Sequence, residues 1–460
     1  MATVDETSFW DADMEEQAAL FEALVGTVQQ FGGGFVALFR GVTDPRQPAY
    51  ITYPLPAVLT AGLLLFLLRL AARRQIQHQL RGNGPSAAKF KALFGVADCP
   101  HGDTVDYLCS RLSVAEVQET VTRLPETLIR RKVLYRHRLL DEYFLVVIDG
   151  TGFHTFTERH CPHCLTRTVH GRTIYYHPVL EAKLVTATGW AFSLMTEFIE
   201  NPTAYPTKQD CELKAFYRLA PRLKQRFPRL PICLLLDGLY ANGPTFALCQ
   251  RYHWQYFVTL QEGDLPTVHE EFEALCRLEP ENSLHCRTGV QLQTQQDYRW
   301  ANDISYVDSD RREHTVSVLE CLETQPDAQG QRTTTRFKWL TSFRVTAKRV
   351  LTLANEGGRL RWKIENEGFN VQKNGGYALE HAYSQNHTAS QVFYLLLQLA
   401  HSLAQLLEAG SLFRHAFPKG VGSAKNLAFR LLEAWRNLRL RPAAIQQMLT
   451  TRRRIYFDSS

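Results

Sequence analysis

No glycine-rich phosphate loop, dinucleotide fingerprint or G-x-S-x-G elbow occurs in this chain. Those absences remove the commonest nucleotide-cradling and serine-nucleophile classes, which need backbone N–H groups or a tight turn at fixed spacing. A strong charge of one sign is missing too. The 52 Lys and Arg against 46 Asp and Glu leave +6 with histidine neutral, too mild to imply nucleic acid by itself. There is no internal repeat and no low-complexity tract, so solenoids and disordered linkers drop out. Cysteine is modest, 10 in 460 residues, and Cys233 and Cys249 sit in apolar surroundings that suit reduced core thiols. The start lacks the apolar core of a secretory signal; it is acidic through Asp5, Glu6, Asp11, Asp13, Glu15, Glu16 and Glu22. A cytoplasmic protein is expected. Pro54 to Leu68 carries no charge, yet as a helix it would span roughly 22 Å, short of a ~30 Å hydrocarbon core. It suits a buried core helix, and no membrane partner is expected.

What is present is the composition of a folded protein, 45% apolar and 21% charged, in a chain long enough for two or three domains. Basic residues recur in clusters: Arg69, Arg73, Arg74 and Arg81; Arg130, Arg131, Lys132, Arg136 and Arg138; Arg436, Arg439 and Arg441; Arg452, Arg453 and Arg454. Such clusters form phosphate footprints when they share a face and solvated faces when they do not. Residues 1–140 have mainly helical periodicity, including an apolar helix near 57–80. The texture changes at DEYFLVVIDGTGF, where Phe144 to Ile148 predict a buried strand closed by a turn at Asp149-Gly150. Two strands joined at Ala187-Thr188-Gly189, a helix over 209–225, the strand PICLLLDG and the strand QYFVTL fill 141–261. Residues 262–345 alternate polar with Val, Tyr and Phe, show little helix signal and predict a β-rich insertion ending in KWLTSF. A second part of the core, 346–410, and a basic helical region, 411–460, complete an α/β protein with a mixed sheet and flanking helices.

Asp149 and Asp237 occupy the same context, LVVIDG and CLLLDG. A carboxylate at the carboxyl end of a buried strand is costly unless a cation compensates it, and functional residues of α/β sheets gather at such ends. Asp-Gly also simply makes good turns. The stretch RWKIENEGFNVQK, 361–373, adds carboxylates and cations on one helix, with Trp362, Ile364 and Phe369 expected to pack it onto the sheet. Three converging carboxylates form an all-oxygen site suited to Mg2+ or Mn2+, and two such ions serve an in-line displacement at a phosphodiester.

VVIDGTGF, LLLDGLYAN and KWLTSF followed by RWKIENEGFNVQK, in that order, resemble the DDE transposases of bacterial insertion sequences over roughly residues 85–410. The resemblance implies a ribonuclease-H-like catalytic core interrupted by a β-rich insertion and preceded by a helical region that binds DNA ends. It implies Asp149, Asp237 and Glu365 as catalytic metal ligands, with Glu367 the rival for third place. It also implies two Mg2+ or Mn2+ ions, and a nucleoid-associated bacterial enzyme that cuts and joins double-stranded DNA at terminal inverted repeats and a target, as a homodimer on DNA. The family's glutamate helix carries a Tyr, an Arg and a Lys around the Glu. Arg361 stands at the Arg position, Gly358 at the Tyr position and Gln372 at the Lys position, with Lys373 next to it. Arg361 and Lys373 are expected to face DNA phosphates, and Arg130, Arg131 and Lys132 to add affinity. The altered positions leave a second expectation, a host-adopted or degenerate relative that binds DNA without mobilising it.

Cys161-Pro162-His163-Cys164 has half the spacing of a structural zinc site, with His154, His160, His170 and His177 as candidate further ligands; reduced loop thiols are the alternative. Trp339 either stacks on an extruded base or, as the strand context favours, belongs to the core.

Overall fold

The computed structural model describes residues 6–289, 293–327, 329–451 and 453–457; Asp5 and Arg452, named above, lie outside them. Among the described residues ten strands form one mixed sheet: β1 (Phe144–Phe156), β2 (Leu165–Val169), β3 (Arg172–Val185), β4 (Ala191–Phe198), β5 (Ile232–Leu236), β6 (Gln255–Thr259), β7 (Ser283–Thr288), β8 (Thr294–Val307), β9 (Glu313–Pro326) and β10 (Arg332–Thr341). The order is β2-β3-β1-β5-β6-β10-β9-β8-β7, with β4 also paired to β3. Strands β1, β5 and β6 run parallel, and β3 lies antiparallel to β1. The central runs FLVVI and ICLLL are apolar at every position because both faces are covered. Val146, Ile148, Leu234 and Leu236 belong to the larger core, and Leu145, Val147, Cys233 and Leu235 to the smaller one. Helices Leu55–Leu67, Val114–Arg130, Glu212–Arg226 and His387–Ala409 contribute to the first; the segment from Val350 to Phe369 closes the second.

Several expectations change. Strand β1 does not end in a turn at Asp149-Gly150 but runs on to Phe156, because β3 continues to pair with it after β5 has stopped. The short strand β2, polar and mostly exposed, has no hydrophobic signature and escapes the sequence. Residues 262–345 contain the helix Pro266–Leu278, which buries only Val268 and Phe272. Their strands are there as expected, and β10 pairs antiparallel with β6, so β7 to β10 extend the central sheet. The apolar helix near 57–80 is broken after Leu67, where Arg69 and Ala71 adopt positive φ, and resumes only as Gln75–Gln79.

Leu55–Leu67 is buried over nearly its whole length, as expected of a core helix. His387–Ala409 is the one described helix long and apolar enough to cross a membrane, and 83% of that apolar window is buried inside the protein. Both ends of the chain join one helical layer that shares the larger core with the sheet. Lys89, fully buried on the helix Gly84–Phe94, fastens that layer. Its Nζ donates to the carbonyls of Trp435 (3.0 Å) and Leu438 (2.6 Å) at the end of the helix Ala424–Asn437, where a cation also meets the negative end of the helix dipole.

Burial depresses the Lys89 ammonium from 10.5 to about 8. Between those values the unfolded chain binds the proton and the folded chain does not, so this residue makes stability rise with pH across that window. In urea unfolding from pH 8 to 10, the parent should gain up to ~1.4 kcal/mol per pH unit relative to Lys89→Met. Parallel pH profiles for the two proteins would place the titration elsewhere.

Candidate active site

The parallel register pairs Val147 with Leu235. Two residues further along each strand, that register brings Asp149 and Asp237 to the same height on neighbouring strands, at the edge where β5 ends. Asp237 then caps the turn Gly238–Tyr240, accepting from Leu239 N–H at 3.0 Å. Asp149 accepts from Gly150 N–H at 2.9 Å. A third carboxylate arrives from an element the sequence did not single out: Glu212, the first residue of the helix Glu212–Arg226. Carboxylate oxygens of Asp149, Glu212 and Asp237 all lie within 4.8 Å of one another. Tyr240 holds Glu212 in place, its buried hydroxyl donating to Oε1 at 2.9 Å. Gly150 makes the approach possible, since a Cβ there would stand 2.6 Å from Glu212 Oε2.

The electrostatics follow from the crowding. Burial pushes Asp149 up to about 7; the nearby Arg361 guanidinium opposes this and the Glu212 and Asp237 carboxylates reinforce it. Burial also raises Glu212, which the Tyr240 hydrogen bond partly offsets and Asp237 aggravates. A cation, Arg361, stands 3.6 Å from Asp149 with only 11% of its side chain exposed. Three carboxylates and one guanidinium leave an oxygen-rich, undercompensated site, the donor chemistry that suits a hard divalent cation.

Glu365 lies one helical turn past Arg361, is exposed, and stands outside this cluster. The segment that carries it is not a plain α-helix: a 3-10 turn, Gly358–Trp362, passes into a π-helix, Ile364–Phe369, and then into Asn370–Asn374. Ile364 and Phe369 pack inward as expected, whereas Trp362 is half exposed with Arg361 over its ring at 4.4 Å. Arg361 faces Asp149 rather than open solvent. Glu367 pairs with Lys363 at 2.8 Å, and Lys373 with Glu380 at 3.2 Å. Trp339 is a core residue, 3% exposed, and its indole lies so close to Gly358 that a Cβ there would come within 2.7 Å. That contact explains why no tyrosine occupies position 358.

Of the basic clusters, Arg130, Arg131 and Lys132 are all exposed. Arg131 and Lys132 line a groove of about 920 Å³ together with Arg136, Arg453 and Arg454, so the 130–138 cluster shares one surface with the cluster near residue 453; Arg130 lies outside the lining. From the groove, contacts run toward the π-helix: Phe457 packs on Trp190 (5.2 Å), and neighbouring Gly189 approaches Glu367. Arg69, Arg73 and Arg81 instead serve protein contacts, with the Gly375 carbonyl, Asp106 and Asp98 respectively. Cys161 and Cys164 come together with His177, while His170 sits exposed at the β2–β3 turn.

No protein-family model matches the chain, and no curated protein matches it.

If the carboxylate cluster holds a divalent cation, Mn2+ should raise the melting temperature of the parent at pH 8. Asp149→Asn should abolish that rise. Because its buried carboxylate is ionised at a cost, the metal-free variant should also melt higher than the metal-free parent, by ~1–4 °C. Scanning fluorimetry with and without Mn2+ checks both; a parent indifferent to Mn2+ would remove the metal site.

Proposed function

We propose that this chain is a metal-dependent DNA-cleaving and strand-transferring enzyme, a DDE-type transposase acting at the ends of an insertion sequence. The observation that carries this reading is the convergence of Asp149, Asp237 and Glu212 beside Arg361, at the edge where β5 ends alongside β1. A sheet in which antiparallel β3 and β4 flank parallel β1, β5 and β6, with helical segments on both faces, supports a ribonuclease-H-like core. The donor set fits Mg2+ or Mn2+, and a bound pair would stabilise the attacking and leaving oxygens of a phosphodiester.

In this reading Asp149 and Asp237 are the constant ligands. Glu212 completes the donor set in the DNA-free chain, and Glu365 is the carboxylate that the transposase resemblance assigns to third place. Arg361 favours the ionised form of Asp149, against its burial, and stands ready for a phosphate oxygen. Arg131, Lys132 and Arg454 draw duplex DNA along the groove that leads past Trp190 to the Glu367 side of the π-helix. A DNA partner paired as a homodimer follows from the same resemblance.

A second reading, a relative that binds DNA without mobilising it, is favoured by the exposure of Glu365 outside the cluster and by Gly358 and Gln372 at signature positions. Purified protein, Mg2+ and DNA carrying the flanks of its own gene separate the two. The enzyme reading expects nicks at short inverted repeats, lowered at least ~100-fold by Asp149→Asn, more than the loss of a group that only orients ligands. It also expects Glu365→Gln to stop cleavage while leaving the Mn2+ melting shift intact, and Glu212→Gln to reduce that shift. Binding without nicks would support the second reading.

Affinity should divide differently. Each phosphate neutralised on duplex DNA contributes roughly −0.9 to the log–log salt slope, so replacing Arg131, Lys132 and Arg454 by Ala should flatten it by about 2.7. Glu365→Gln should leave the slope unchanged. A triple variant with the parental slope would show that the groove does not carry the DNA.

A further inference from the structure

The loop between β1 and β2 contains Cys161-Pro162-His163-Cys164, and the β2–β3 register, with Leu165 opposite Tyr176, sets Cys164 opposite His177. The two Sγ atoms are 3.6 Å apart in free thiols. His177 Nε2 lies 3.3 Å from Cys161 Sγ and 3.2 Å from Cys164 Sγ. Hydrogen bonding closes all three edges only if one Nε2–H is shared between both sulfurs while one thiol donates to the other. A tetrahedral zinc ion, with bonds of ~2.3 Å to sulfur and ~2.0 Å to nitrogen, sets sulfurs about 3.8 Å apart and sulfur and nitrogen about 3.5 Å apart. The observed edges match those of such a tetrahedron to within a few tenths of an ångström.

The fourth corner is supplied from a distant part of the chain. His387, the first residue of the helix His387–Ala409, hydrogen-bonds Cys161, and its Nε2 stands 3.0 Å from Glu200 Oε1. A carboxylate behind an imidazole is how proteins fix the tautomer and ring orientation of metal-bound histidines. His160 also lies within reach of Cys161 and His177, but its ring stacks flat on Phe156, 4.4 Å away at 16°. Cys164 and His177 are buried, and Cys161 and His387 are partly so, which shelters the group as a structural site requires.

We propose that Cys161, Cys164, His177 and His387 bind one structural zinc ion, with Glu200 orienting His387. Two thiolates and two neutral imidazoles balance the charge of Zn2+. The ion ties the β1–β2 loop and β3 to the first turn of the central buried helix. It is separate from the carboxylate site and independent of the reading given to that site.

Metal analysis of the full chain purified from zinc-supplemented culture tests this. The expected result is one zinc per chain, retained by Asp149→Asn and His160→Ala and reduced at least tenfold in Cys161→Ser, Cys164→Ser and His387→Ala. Stripping the parent and adding Co2+ gives a second readout that needs no variant: a visible ligand-field band and a near-ultraviolet thiolate charge-transfer band of a tetrahedral S2N2 site. Parent protein that carries no zinc and gives no cobalt spectrum would overturn the proposal. Zinc lost from His160→Ala but kept by His387→Ala would overturn the ligand set.

Discussion

Three carboxylates share one sheet edge with a guanidinium beside them, and the surrounding structure is organised to hold that arrangement. At separations below 4.8 Å, like charges repel by at least about 3.5 kcal/mol per pair at an effective dielectric of ~20. Arg361 relieves part of this for Asp149, yet that group still titrates near 7. Such a group cannot rest on a mobile loop. Asp149 and Asp237 extend from strands buried on both faces, Glu212 is pinned by a buried tyrosine, and Gly150 clears the space between them. Each support comes from a different element, so the cluster depends on the packing of the whole core and not on one local motif.

The same logic shapes the segment from Gly358 to Asn374. It is squeezed between Trp339 at Gly358 and Lys183 beneath Gly368, where a Cβ would meet the Lys183 side chain at 3.3 Å. Lys183 is fully buried, 3.3 Å from Glu181, which in turn accepts from Ser193 and Thr196. A buried ion pair of this kind is a poor source of stability. Being within β3 it sets no register itself; the Ser193 and Thr196 hydroxyls of β4 do so by bonding Glu181. The backbone accommodates both contacts by tightening to a 3-10 turn and then widening to a π-helix, an irregularity frequent at functional sites. One consequence is that Arg361 turns inward while Glu365 turns to solvent.

How much of this the sequence disclosed depends on the range of each interaction. Asp149 and Asp237 stand out because their context is local, an apolar β-branched run followed by Asp-Gly. The role of Gly150 does not, since it depends on Glu212 arriving from a helix that begins more than sixty residues later; an acidic residue in the first turn of a helix is ordinary and carries no mark. The helical nature of 361–369 is legible from its apolar spacing, but not the change from 3-10 to π, which Trp339 and Lys183 impose from outside. The helix Pro266–Leu278 is weakly signalled because it buries so little. The joining of β10 to β6 is likewise a tertiary fact: alternation predicts strands without naming their neighbours. The Cys161–Cys164 pair was visible, and His177 among its candidate partners. His387 was not, because its nearness to that loop exists only once the long helix is in place.

That helix, His387–Ala409, explains how two chemically different groups are held in one frame. By apolar content alone it would suit a bilayer, yet three of its glutamines are matched to protein partners. Gln391 donates to Glu200, Gln398 exchanges hydrogen bonds with Gln372, and Gln405 bonds both the N–H and the carbonyl of Ala191. In lipid those groups would lie unsatisfied. Here Glu200 also meets His387 beside the cysteine loop, Gln372 lies on the helical segment after Glu365, and Ala191 begins β4 just past the loop of Gly189 and Trp190. A fully bonded buried network permits little sliding, since any slip leaves several amides without partners at once. The helix therefore fixes the cysteine–histidine group, the segment carrying Glu365 and the approach to the basic groove relative to one another, so that a change in its axial position would be felt at all three.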